Sequence, residues 1–203
     1  MKKALVVISA FLLSMHLYGQ DMDIALLSRI KAANGAIKTF EADLDEIMVK
    51  PKKTITREGM IYFVSPKEFA ALFSDGSYMI VNEKKIKMDI GSLHGTFKLR
   101  DGGMMQSIGN IFLYAFQGRV EDLFNENEFN YTTKTEDRLH IITGTITRKN
   151  FFGLGYKKVV IKYQTDDLLF KEIVLYDYSG NKDTYTISNV KYDVPVDKKT
   201  FQF

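Results

Sequence analysis

The chain has 203 residues, 45% of them apolar and 13% aromatic, with no cysteine and a formal net charge of +3. This is the composition of a globular protein with a sizeable core, and it argues against disorder. The absence of cysteine excludes disulfides, thiol nucleophiles and cysteine-built metal sites.

The chain opens with "MKKALVVISAFLLSMHLYGQ", in which Lys2 and Lys3 precede an apolar run from Ala4 to Leu17 and the small residue Gly19. That is the layout of a secretory signal peptide over residues 1–20, with cleavage expected near Gly19 or Gln20. The run carries Ser9, Ser14 and His16 and is short for a bilayer, which needs ~20 apolar residues. Without Lys2 and Lys3 the 28 basic residues become 26 against 25 acidic ones, so the expected mature charge of about +1 leaves no footprint for nucleic acid. With no thiol to acylate, the expected product is a soluble periplasmic protein, monomeric, with a single domain over residues 21–203.

Asp23 is a candidate N-cap, and Leu26, Ile30, Ala33 and Ile37 follow at spacings of four, three and four, predicting a helix with one apolar face that ends near Gly35. From Lys38 the period becomes two: Phe40, Ala42 and Leu44 alternate with Thr39, Glu41 and Asp43. "EGMIYFV", "EFAALF", "SYMIV" and "KKIKMDI" continue as strands, separated by turns at Ser65-Pro66-Lys67, Asp75-Gly76 and Asn82-Glu83. Asp101-Gly102-Gly103 then introduces a helical insertion through Met104, Met105, Ile108, Ile111, Phe112, Ala115 and Phe116, ended by Gly118, with a short second helix over Arg119 to Phe124. Strands resume as "EFNYTTKT", "RLHIITGTITRK", "YKKVVIKYQT", "LLFKEIVLYD" and "DTYTISNVKYDV", with a hairpin at Asp177 to Asn181.

The expected fold class is α+β, mostly β: a large curved antiparallel sheet of about nine to eleven strands, an unclosed β-barrel, with helices as a lid over its concave face. Chemistry is sparse. Beyond the leader the histidines are His94, read as a loop residue, and His140, read as a strand residue packed or facing solvent; neither has a Ser/Asp pattern around it. "GLGYKK", with Gly153 and Gly155, lacks the third glycine and the strand-to-helix context of a phosphate loop, and reads as a hairpin turn. Asp43, Asp45 and Glu46 invite an acid-base reading, but Asp43 and Asp45 alternate with the apolar positions and are read as a solvated strand face. No catalytic residue, metal or cofactor is expected. The insertion, apolar on more than one face, reads as a core helix or as a glycine-hinged lid whose methionines cover a greasy cavity.

The sequence resembles the LolA family, periplasmic carriers of lipoproteins from the inner to the outer membrane. "TFEADL" supplies Phe40 and Ala42 of the family's F-x-A-x-F strand, with Leu44 in place of the second aromatic; Gly59, Ile61, Phe63, Pro66 and Phe69 follow, then Asp75, Gly76 and Tyr78. The closing hairpin and tail match most specifically, at Ile173, Val174, Leu175, Asp177, Gly180, Asn181, Val196, Asp197, Phe201 and Phe203. Two departures stand out: Ser65 replaces the arginine that usually precedes the proline and is thought to hold the lid, and the proline and glutamine after the Asp-Gly strand are missing.

The resemblance implies an unclosed barrel that binds acyl chains without enzymatic chemistry, loaded by an inner-membrane lipoprotein-releasing ABC transporter and unloaded by an outer-membrane acceptor. With strand alternation and helical spacing as the guide, Phe40, Ala42, Leu44, Ile61, Phe63, Phe69, Met79, Val81, Ile173 and Leu175 are expected to line the concave face. Met104, Met105, Ile108, Ile111, Phe112 and Phe116 are expected to cover it. Two other functions suit such a chain: a carrier or sensor of another amphiphile (a glycolipid, fatty acid or pigment precursor), and an interaction module whose cavity is filled by its own side chains.

Overall fold

In the computed structural model, which describes residues 24–83, 85–90, 93–98, 104–126, 129–146 and 155–202, eleven strands form one antiparallel sheet. The expected signal peptide, Asp23, the Asp101-Gly102-Gly103 entry, Gly153 and Phe203 lie outside the described residues. Helix α1 spans residues 24–35. A first meander follows: β1 (Thr39–Lys50), β2 (Lys53–Val64), β3 (Glu68–Phe73), β4 (Tyr78–Asn82), β5 (Lys85–Ile90) and β6 (Leu93–Lys98). Helices α2 (Met104–Phe116) and α3 (Val120–Glu126) come next. The second meander is β7 (Phe129–Glu136), β8 (Leu139–Ile146), β9 (Tyr156–Gln164), β10 (Phe170–Asp177) and β11 (Lys182–Tyr192).

The strand order β6-β5-β4-β3-β2-β1-β11-β10-β9-β8-β7 puts the first and last strands side by side in the middle of the sheet. The chain therefore leaves the sheet at one edge, β6, and returns at the other, β7. Those edges do not pair, so the barrel is unclosed. Between them the chain forms α2 and α3, and an apolar connection of this kind is most stable when it crosses the inner face and buries itself there. Phe116 of α2 meets Phe40, Phe63 and Phe69 of the first meander and Phe170 of the second at ring-centroid distances of 5.0 to 5.8 Å, joining both halves into one core.

Local chemistry sets the turns. Asp75 accepts from the Ser77 backbone N–H at 2.9 Å, and Gly76 takes φ 85° between them. Asp177 Oδ1 accepts from the backbone N–H groups of Ser179 and Asn181, both at 2.8 Å, with Gly180 also at φ 85°. Both are side-chain-capped turns with a left-handed glycine, as the sequence signals require.

Three expectations are corrected. His94 lies on strand β6, paired with Asp89 of β5, rather than in a loop. In α1 the buried positions are Leu27, Ile30 and Asn34, with Leu26 and Ala33 only half-buried at the flank of that face, and Ile37 follows the helix instead of closing it. Asn34 decides the orientation: its side-chain amide donates to Ile30 O and Leu168 O, each at 2.8 Å, and accepts from Phe170 N at 3.1 Å. A buried amide with those partners fixes the helix end to the β9–β10 turn. The second short helix runs Val120–Glu126, one residue in from Arg119.

A smaller cluster sits on the outer face. A 3-10 turn, Lys198–Phe201, is capped by Asp197, which accepts from Lys199 N at 2.9 Å, and it buries Phe201 against Ala70 and Ile80.

Candidate functional site

Alternation on β1 turns Phe40, Ala42 and Leu44 inward and leaves Asp43 and Asp45 outside, where Asn189 donates to Asp43 at 2.6 Å. The register then propagates the inner face: Phe40 lies opposite Phe63, Ala42 opposite Ile61, Phe63 opposite Phe69, and Phe69 opposite Val81. All ten expected wall residues, including Met79, Ile173 and Leu175, are 2% exposed or less and belong to a single cluster. The same face continues to Ile86 and Met88 on β5 and to Val159, Ile161 and Tyr163 on β9, which lie outside the expected set although their alternation follows the same rule.

Helix α2 lies on this wall. Ile111, Phe112 and Phe116 are buried in the same cluster, and Ile108 packs against it half-buried. Met104 and Met105 belong to the helix, with side chains outside the described residues. Phe112 reaches Phe69 at 5.4 Å and Tyr185 at 5.0 Å, so aromatic rings of α2 stand directly on aromatic rings of the sheet.

The C-terminal end of α2 is tied down by polar contacts with no counterpart among the residues predicted from sequence. The Tyr163 hydroxyl donates to Ala115 O at 2.8 Å. Gln117 Nε2 donates to Pro66 O and to Leu113 O, both at 2.8 Å. The helix end is thus anchored to the proline segment even though Ser65 stands where the LolA family usually carries its arginine; the donor comes from the helix side instead. Gly118, at φ 67°, packs where a Cβ would come 2.5 Å from Ile30 O, so only glycine lets the chain turn this tightly over α1.

At the other end of the inner face the wall becomes polar. Glu46 continues the inward series after Leu44 and is fully buried, and Arg57, directly opposite on β2, donates to its Oε2 at 2.6 Å. Arg57 also lies 3.2 Å from Asp75 through Nε, without the alignment of a hydrogen bond, and 5.7 Å from the Phe73 ring centre. Asp183 and Tyr185 approach from β11, Tyr185 being the register partner of Glu46. Burial and the nearby carboxylates of Glu46 and Asp177 push the Asp183 carboxyl up to about 6, against the pull of Lys50 and Arg57. Burial also raises the Tyr185 phenol well above its usual range, helped by the negative charge of Glu46 beside it.

His140 bonds Thr135 through Nδ1 at 2.9 Å, and burial lowers its pKa. His94 Nδ1 lies 2.6 Å from Asp89 on the exposed outer rim. Among the described residues no group of three or more His, Asp or Glu side chains is placed to hold a metal, and no helix is long and apolar enough to cross a membrane.

An unclosed antiparallel sheet with helices laid on its inner face is the architecture that the LolA resemblance implies. The fold is an unclosed barrel. Solved structures similar to this chain include a domain named for outer-membrane lipoprotein sorting from Vibrio parahaemolyticus, at 12% identity and TM-score 0.48, covering 87% of this chain and 94% of that one. A LolA superfamily protein from Nitrosomonas europaea gives 10% identity and TM-score 0.45 over 88% and 96%. An uncharacterized conserved protein from Thermus thermophilus gives 9% and 0.50 over 90% and 94%. At 9% identity this last likeness is one of fold alone. No family model and no curated protein matches the chain.

Proposed function

We propose that this LolA-like chain is a non-enzymatic periplasmic carrier that shields the acyl chains of lipoproteins on its inner face between the inner and the outer membrane. The observation that carries this reading is the continuous apolar wall built from both meanders, on which the apolar helix α2 lies together with α1 and α3. Dispersed apolar contact suits acyl chains of varying length, because it needs no fixed polar partner.

Helix and cargo are comparable in energy on this wall. Lifting Ile111, Phe112, Leu113 and Phe116 off the wall gives up roughly 6 to 12 kcal/mol, taking about 1.5 to 3 for each side chain. A sixteen-carbon chain leaving water contributes on the order of 10 kcal/mol, at ~0.8 per methylene. The two are of one size, so a cargo chain can displace the helix and the helix can in turn help expel the cargo to an acceptor of higher affinity.

The rings of α2 already standing on the wall also suit a second reading, an interaction module whose inner face is filled by its own side chains. Titration of delipidated protein with a diacylated peptide and with free fatty acid decides between them. Saturable one-to-one binding of the peptide is expected of the carrier. Binding of fatty acid alone would indicate another amphiphile as cargo, and binding of neither would leave the interaction module.

A further inference from the structure

Glu46 is a fully buried carboxylate with one oxygen committed to Arg57 and the other, Oε1, without a hydrogen-bond partner. Asp183, on the neighbouring strand, likewise buries an unpartnered Oδ1. These acceptors share the face that carries Leu44 and Tyr185, so they sit at the end of the apolar wall rather than on the outer surface. The local charges are lopsided: Glu46, Asp183, Asp177 and Asp75 against Lys50 and Arg57, with Arg57 already held between Glu46 and Asp75. Buried carboxylate oxygens whose nearby neutral donors are the Tyr185 and Tyr156 phenols, in a region of excess negative charge, match a group that brings both N–H donors and positive charge.

We propose that the Glu46–Asp183 end of the inner face is a headgroup subsite for a primary ammonium carried by an amphiphile whose chain lies along the apolar wall. The proposal rests on the acyl-binding reading above and adds the headgroup chemistry to it. An ammonium has three donors and can serve Glu46 Oε1 and Asp183 Oδ1 together, with the Tyr185 hydroxyl beside them. An anionic headgroup would meet the same carboxylates as like charges and lose affinity.

The test compares dodecylammonium, dodecanoate and dodecanol, each below its aggregation concentration, by calorimetry at pH 7.5 with the wild-type protein, Glu46→Gln and Asp183→Asn. The expected wild-type result is ammonium binding about tenfold or more tighter than dodecanoate, with dodecanol between them. Each substitution is expected to lower ammonium affinity by roughly fivefold or more while leaving dodecanol within about twofold. Asp183→Asn keeps the Glu46–Arg57 pair and so carries the test even where Glu46→Gln fails to fold. Chain binding with no ammonium preference, or a preference that Asp183→Asn leaves unchanged, overturns the subsite alone. If none of the three ligands binds the wild-type protein, the acyl-binding reading falls and the subsite falls with it.

Discussion

Glu46 and Arg57 face each other across β1 and β2 at 2.6 Å, with side chains 0% and 9% exposed. Removing one partner of so buried a pair strands the other, so Glu46→Ala is expected to cost ~3 to 5 kcal/mol in urea unfolding. Asp183 makes a second, pH-dependent demand. Its carboxyl sits at about 6 in the fold against an ordinary 3.8, so the folded state holds the proton more tightly and stability falls as pH rises between those values. Asparagine at that position carries no such penalty. The melting-temperature advantage of Asp183→Asn over the wild type should therefore grow from pH 4 to about 6 and then level off; a constant difference would contradict the assignment. Glu46 was within reach of the sequence, since the spacing of Phe40, Ala42 and Leu44 places it inward, but acidic residues are so seldom buried that composition argues the other way. Its partner lies eleven residues away across a turn, and only the register brings the two together.

Helix α2 is held at one end by Tyr163, Gln117 and the tight turn at Gly118. Gln117→Ala removes the donor to Pro66 O and is expected to cost roughly 0.5 to 1.5 kcal/mol, the net worth of a part-buried hydrogen bond. Hydrogen exchange should localise the effect, with lost protection in α2 exceeding that in β1 or β2. Phe116→Ala removes a ring that touches Phe40, Phe63, Phe69 and Phe170, and should lower stability by ~3 to 5 kcal/mol in urea unfolding. The helix itself was legible, because apolar spacings of three and four and a terminal glycine leave little else for that segment to be. Its anchors were not, because Gln117, Pro66 and Tyr163 are far apart in sequence and only the fold brings them together. Strand β6 escaped for a local reason: Gly95, at φ 131°, interrupts the alternation of a short segment that only its pairing with β5 makes regular.

At the scale of the molecule, one topological fact organises the rest. The two meanders meet at β1 and β11, so the sheet's edges are β6 and β7 and the segment joining them carries α2 onto the inner face. Alternation along the strands was enough to anticipate a curled sheet with an apolar inside, whereas the order of strands depends on pairing between residues at opposite ends of the chain, such as Phe40 with Tyr192. The proposed carrier uses that arrangement directly: cargo and α2 compete for one wall, and the contacts at Gln117 and Tyr163 keep the helix in place when cargo leaves. The measurement that bears most directly on this is hydrogen exchange of the delipidated protein with and without a saturating diacylated peptide. The expected result is a change in exchange confined to α2 and to the inner-face strands it covers, β1 to β4, β10 and β11, with β8 and its turn to β7 unchanged. No change in α2 on saturation, or a change confined to the sheet edges, would contradict binding beneath the helix.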